Sequence, residues 1–173
     1  MFKGLKPIVY NGREVWPLVE GGKGVAATNH ASAGAWAAAG GIGTVSAVNA
    51  DSYDPEGKII PQVYAALTRR DRHEELVQYA IDGAVQQVER AYEIADGKGA
   101  ININVLWEMG GAQRILHGVL ERLEPTWLLH GHIHPFGREM PDRVVGRTTI
   151  RNVVPWRVIE ITARSGSIET QSA

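Results

Sequence analysis

The chain contains no cysteine, so neither disulfides nor thiolate metal ligands contribute to its fold or chemistry. No apolar run approaches the roughly 18–20 residues of a membrane span. The opening stretch MFKGLKPIVYNG lacks the apolar core of a signal peptide. Charge of either sign is not in excess: 18 Lys and Arg against 19 Asp and Glu give a formal net charge of −1. That balance gives nucleic acid or an anionic membrane no electrostatic hold. These absences leave the cytoplasm as the expected location, with neither nucleic acid nor membrane as a partner.

What remains is a chain of 173 residues, long enough to bury a core, with 44% hydrophobic and 21% charged residues. The stretch Val15 to Asn29, VWPLVEGGKGVAATN, runs from a short apolar segment into Gly21, Gly22 and Gly24. Ser32 is a candidate cap for an alanine-rich helix over roughly Ala33 to Ala39, which Gly40 and Gly41 end. IGTVSAV then reads as a strand, completing a strand–helix–strand unit with parallel strands. Ala50 to Pro61 is a polar loop, either a lid or a surface excursion.

From Asp71 the period becomes helical. Val77, Ala80, Ala84, Val88, Ala91 and Ala95 recur at three- and four-residue steps, and Asp96-Gly97 stops the pattern. AININVLWEM predicts a strand that places Asn102 and Asn104 on one side. A second helix follows Gly110-Gly111 with Ile115, Val119, Leu120 and Leu123, and Pro125 closes it. TWLLHGH predicts a fourth strand. After Pro135 the helices cease, and RTTIRNVVPWRVIEITARSGSIETQ holds two or three short strands, with Ser165-Gly166 as a hairpin turn. The expected fold is α/β: β–α units with parallel strands, then a short C-terminal β-meander.

A glycine loop after a strand admits a phosphate or a flavin ring to the backbone, and equally serves as a tight turn in an α/β core. Two asparagines on an apolar strand are either ligand contacts or hydrogen-bonded core residues. Within an N-terminal segment 1–121, three features, EGGKG, AAAGGIGTVSA and ININVL, give residues from about Leu5 to about Glu121 a resemblance to the N-terminal part of the nitronate monooxygenases, or 2-nitropropane dioxygenases. Members of that family are FMN-dependent TIM barrels that oxidise alkyl nitronates, small-molecule substrates, with oxygen. The resemblance implies partial TIM-barrel-like units, with Gly22, Lys23 and Gly24 along the flavin and Asn104 contacting it from the end of its strand. Lys23 stands where many members carry an apolar residue. The family's catalytic histidine and phosphate-binding loops belong to later strands, for which this sequence offers no matching stretch. An open barrel leaves strand edges that call for cover, by an oligomer of the same chain or by another element.

In LLHGHIHPFG, His130, His132 and His134 alternate along an extended run. Within a C-terminal segment 122–173, residues from about Arg122 to about Thr162 resemble the C-terminal end of calcineurin-like metallophosphoesterases, whose Gly-His-x-His motif appears as Gly131-His132-Ile133-His134. That resemblance implies His132 and His134 as ligands of a divalent metal such as manganese in a two-metal hydrolase site, and gives His130 no role. The acidic motifs that complete such a site are not matched. His30 is read as a helix entry, and His73 and His117 as surface residues. The chain thus reads as a chimera joined near Leu120 to Thr126, either an FMN-linked oxidoreductase or an inactive remnant of one. The alternatives are a metal-dependent phosphoesterase and a non-catalytic fusion. The unbroken β–α rhythm across the join lets the two segments pack as one domain, with TWLLHGH docked as the next parallel strand.

Overall fold

The computed structural model describes residues 4–10, 12–24, 26–106, 110–130 and 140–153. A hairpin of β1 (Ile8–Tyr10) and β2 (Arg13–Val15) opens the chain. It is followed by α1 (His30–Ala38), β3 (Ile42–Ser46), α2 (Arg69–Ala95), β4 (Ala100–Asn104) and α3 (Ala112–Leu123). The last elements are β5 (Trp127–His130), β6 (Arg143–Val145) and β7 (Thr148–Asn152). The protein is therefore mixed α/β, and among the described residues its strands form small sheets with no closed barrel.

Two parallel steps organise the N-terminal body. Val19 forms a parallel bridge to Ile42, with Ile42 N–H donating to Leu18 C=O at 2.9 Å and Glu20 N–H donating to Ile42 C=O at 2.8 Å. Helix α1 carries the chain from that segment to β3, and α2 carries it on to β4. Strands β3 and β4 then pair in parallel from Ile42–Ala100 to Ser46–Asn104.

Helix α1 starts earlier than the alanine pattern alone suggests. Asn29 is the N-cap, its side chain accepting from the amides of Ala31 and Ser32, while Ser32 Oγ accepts from Asn29 N–H. Ser32 is thus the third helical residue of a capping box rather than the cap. Gly43 explains how closely this helix lies on β3: a Cβ there would overlap the Ala33 backbone carbonyl. Helix α2 buries all six positions of its apolar stripe. Thr68 caps its start by accepting from Asp71 N–H, and Asp96 ends it in the left-handed region at φ 48°.

The core is made of small side chains. Ala33, Val45, Val88 and Ala91 form one cluster, and Ala47, Val77, Ala80, Ile81, Ile115 and Val119 form a second that includes α3. Ile101, Ile103 and Leu123 pack at its margin. A third group, Val15, Ile42 and Ala100 with Tyr10 beside it, seats the β1–β2 hairpin. Arg114–Glu74 and Arg122–Asp82 ion pairs link α3 to α2 at the surface.

Gln87 is the largest polar side chain among the most deeply buried ones. It is 1% exposed; its Oε1 accepts from His30 N–H at 2.7 Å and contacts His30 Nδ1 at 2.8 Å. Its Nε2 donates to Asp51 C=O at 3.0 Å. The 50–67 excursion is fastened along α2 by further polar ties. Gln86 bonds both backbone groups of Tyr53, Tyr79 Oη donates to Ile60 C=O, and Glu75 accepts from Ala66 N–H. Beyond the buried Ala50 its large apolar side chains from Ile59 onward turn outward, Val63 and Leu67 most of all. It is a surface excursion.

The fourth strand differs from expectation in its partner. β5 pairs in parallel with β7, which pairs antiparallel with β6, in the order β5-β7-β6. The ladder is extended by Thr149 N–H to Thr126 C=O, by Thr148 Oγ1 to Pro125 C=O, and by Arg151 stacked over Trp127. With these bonds made locally, β5 takes β7 as its neighbour and not β4. The hairpin β6–β7 is the described portion of the C-terminal strands; Ser165-Gly166 lies outside the described residues.

Replacing Gln87 by Leu would strand the His30 amide and the Asp51 carbonyl. We expect it to lower unfolding free energy by about 2–4 kcal/mol, measured by urea titration.

Candidate functional site

The carboxyl ends of parallel strands are where α/β proteins expose backbone and loops to ligands. Here the loop after Val19, the exit of β3 and the exit of β4 meet at that end. Ser46 N–H donates to Thr28 C=O, Ala47 N–H to Asn104 C=O, and Ala26 N–H to Val48 C=O. The 21–28 loop is pinned across its own base, where Lys23 N–H donates to Thr28 Oγ1 at 3.1 Å and Thr28 N–H to Lys23 C=O at 3.3 Å.

This arrangement brings together Gly22 and Asn104, which are far apart in sequence. A Cβ at Gly22 would lie 2.5 Å from Asn104 Cβ and 2.8 Å from its Cγ, so only glycine fits beneath that side chain. Gly24 faces Val48, with a Cβ there in ordinary contact at 3.8 Å. Lys23 is exposed. Three of the four residues expected to line a cofactor thus sit on one shelf formed by the loop and the two strand exits, with Lys23 at its rim.

The two asparagines of β4 divide. Asn102 is satisfied, its Oδ1 accepting from Tyr10 Oη at 3.1 Å. The half-buried Asn104 carboxamide has no hydrogen-bond partner among the described residues and stands open to water above Gly22. An amide so placed can donate to and accept from the polar edge of a planar ligand. As a test of fit, the space that Gly22 leaves is filled by Asn104 itself, and what the shelf offers is the unengaged carboxamide, a group of the kind that can meet the heteroatom edge of an isoalloxazine.

Glu20 is the support that sequence reasoning missed. It is 8% exposed, and its Oε2 accepts from Thr44 N–H at 2.9 Å, replacing a backbone carbonyl in the ladder. Thr44 Oγ1 returns a bond to Glu20 C=O at 2.6 Å. The signal available in the sequence was an acid at the last apolar-strand position before two glycines. Tyr10 was missed as well. Burial, and secondarily Tyr92 nearby, raise its phenol above the usual tyrosine value.

The histidines fare differently. His132 and His134 lie outside the described residues. His130 ends β5, half-buried, and its C=O accepts from Val153 N–H. His30 is the first residue of α1, as expected, with its ring edge-on to Tyr53. His117 is exposed beside Glu121 at 3.3 Å, whereas His73 is half-buried against Gly111. Among the described residues no three His, Asp or Glu side chains are grouped to hold a metal ion, and no helix is long and apolar enough to cross a membrane. Two open surface clefts, of about 480 and 580 Å³, are lined by Arg13 and Lys98 and by His30, Glu89 and Arg90, away from the shelf.

No protein-family model, curated protein or solved structure matches the chain.

Because the folded state raises the Tyr10 pKa, the associated stability is present below the unfolded value and is lost as pH rises through the folded one. We expect Tyr10→Phe to cost about 0.5–1.5 kcal/mol at neutral pH, from the lost bond to Asn102. It should also flatten the fall in stability above the normal tyrosine pKa. Urea unfolding across neutral and alkaline pH checks both.

Proposed function

We propose that this protein is a flavin-binding oxidoreductase of the nitronate monooxygenase kind, with the shelf at Gly22, Gly24 and Asn104 receiving the FMN ring. The observation that carries it is the juxtaposition of side-chain-free Gly22 with the unengaged Asn104 carboxamide at the carboxyl ends of parallel strands. When bound, FMN supplies the electron acceptor for a nitronate and passes the electrons to dioxygen. In this chain Gly22 makes room for Asn104 to stand over the loop, Asn104 would orient the polar edge of the ring, and Glu20 with Thr44 holds the loop to β3. The partial TIM-barrel-like character of the β–α units belongs to the same proposal. It is supported by the two successive parallel steps, Val19 to β3 and β3 to β4.

Titration of FMN followed by quenching of its fluorescence tests this. We expect saturable binding, weakened at least about tenfold in Gly22→Val, where a side chain is forced into Asn104, and several-fold in Asn104→Ala. Thermal melts with FMN and with Mn²⁺ separate the alternatives, because a ligand of the folded state raises the midpoint. A rise with Mn²⁺ alone, abolished in His132→Ala, would replace the flavin assignment with the metallophosphoesterase one.

A further inference from the structure

Among the described residues β4 has one neighbour. Its partner is β3, and the bonds that flank the ladder fix which residues face it: Ala100 N–H donates to Gly41 C=O, and Asn104 C=O accepts from Ala47 N–H. In a parallel ladder, alternate residues of a strand bond to the same neighbour. Ala100, Asn102 and Asn104 therefore turn their backbone groups toward β3. Ile101 and Ile103 turn theirs outward, where no strand pairs with them among the described residues. The difference registers in burial, since all five residues of β3 are buried and four of the five in β4 are not.

Strand edges of this kind are usually guarded by lysine, proline or a bulge. Ala100–Asn104, AININ, has none of these and carries no charge. The strand that follows α3 does not supply the cover: β5 pairs with β7 and not with β4.

We propose that the β4 edge is a self-association surface and that its partner is β4 of a second copy of this chain. The sequence Ile-Asn-Ile is symmetric about Asn102. An antiparallel pairing with the two-fold axis at Asn102 sets Ile101 of each copy opposite Ile103 of the other. These are the residues whose N–H and C=O point outward, so each Ile101–Ile103 pair exchanges two hydrogen bonds, four in all from the two pairs. The isoleucine side chains meet on the helix-covered side and continue the margin of the core. Asn102 faces its own mate across a non-hydrogen-bonded position, where the backbones are closest. Such an interface closes as a dimer and leaves no repeating edge at β4.

The absence of cysteine makes the test clean. Sedimentation velocity of the full chain should show a concentration-dependent monomer–dimer equilibrium. Asn102→Asp sets two like charges face to face at the axis. It should raise the dimer dissociation constant at least tenfold at neutral pH, with recovery at low pH or high salt. Asn102→Cys should form an intermolecular disulfide under mild oxidation, because directly opposed residues meet the required Cα separation. Lys98→Cys, exposed and beyond the strand, should not. Circular dichroism confirms that each variant is folded, and a second symmetric-site variant, Asn102→Ser, should retain the dimer. A wild-type chain that stays monomeric at its highest soluble concentration would overturn the proposal. So would a dimer indifferent to Asn102→Asp and not crosslinked at Cys introduced there.

Discussion

The buried carboxamide of Gln87 is the tie on which the N-terminal body depends. It is rooted on the longest helix and reaches two other elements at once, the first turn of α1 and the loop that leaves β3. A hydrocarbon side chain of similar size would fill the volume but leave one donor and one acceptor unpaired in the interior. With Gln87 in place, α1 and α2 are held in one orientation over β3, and small residues, alanine, valine and glycine, form the contacts between them. Gly43 is the complementary condition on the sheet side, since any side chain there would lift α1 from the strand. The shelf at the other end of β3 inherits its geometry from this alignment.

The same alignment explains the division of labour across the sheet. One face of β3 and β4 carries Val45, Ile101 and Ile103 against the helices. The opposite face carries Thr44, Ser46, Asn102 and Asn104. Near the amino end this polar face is closed by Tyr10 and the hairpin, and toward the carboxyl end it opens onto Gly22. Asn102 is bonded to Tyr10, and the Asn104 carboxamide has no bonded partner among the described residues.

Much of the helical architecture was legible in the sequence, because α2 and α3 owe their positions to an apolar period that burial then satisfied. The start of α1 was misread by three residues, since Asn29 and Ser32 both have capping chemistry and only their reciprocal bonding decides between them. The N-terminal hairpin went unread although Asn11-Gly12 lies between two strand-forming triplets, a pairing with hairpin-turn chemistry. Strand partners were the least legible feature. TWLLHGH announces a strand but not its neighbour, and the choice of β7 over β4 rests on bonds at Thr126, Thr148 and Thr149 that no periodicity encodes. Of the candidate site, residue types at Gly22 and Asn104 were readable through family resemblance. Their contact was not, because it arises from a parallel register set by residues between them.

The pairing of Gln87 with His30 also fixes a proton. Gln87 Oε1 already accepts from the His30 backbone amide, and Nε2 already donates to Asp51, so the amide cannot be turned around. The imidazole nitrogen at 2.8 Å from that same oxygen must then be the one bearing hydrogen. Neutral His30 is held as the Nδ1–H tautomer, with Nε2 the nitrogen turned away from Gln87. In ¹⁵N spectra the two ring nitrogens should accordingly be strongly inequivalent, Nδ1 pyrrole-like and Nε2 pyridine-like, whereas freely exchanging histidines show averaged shifts.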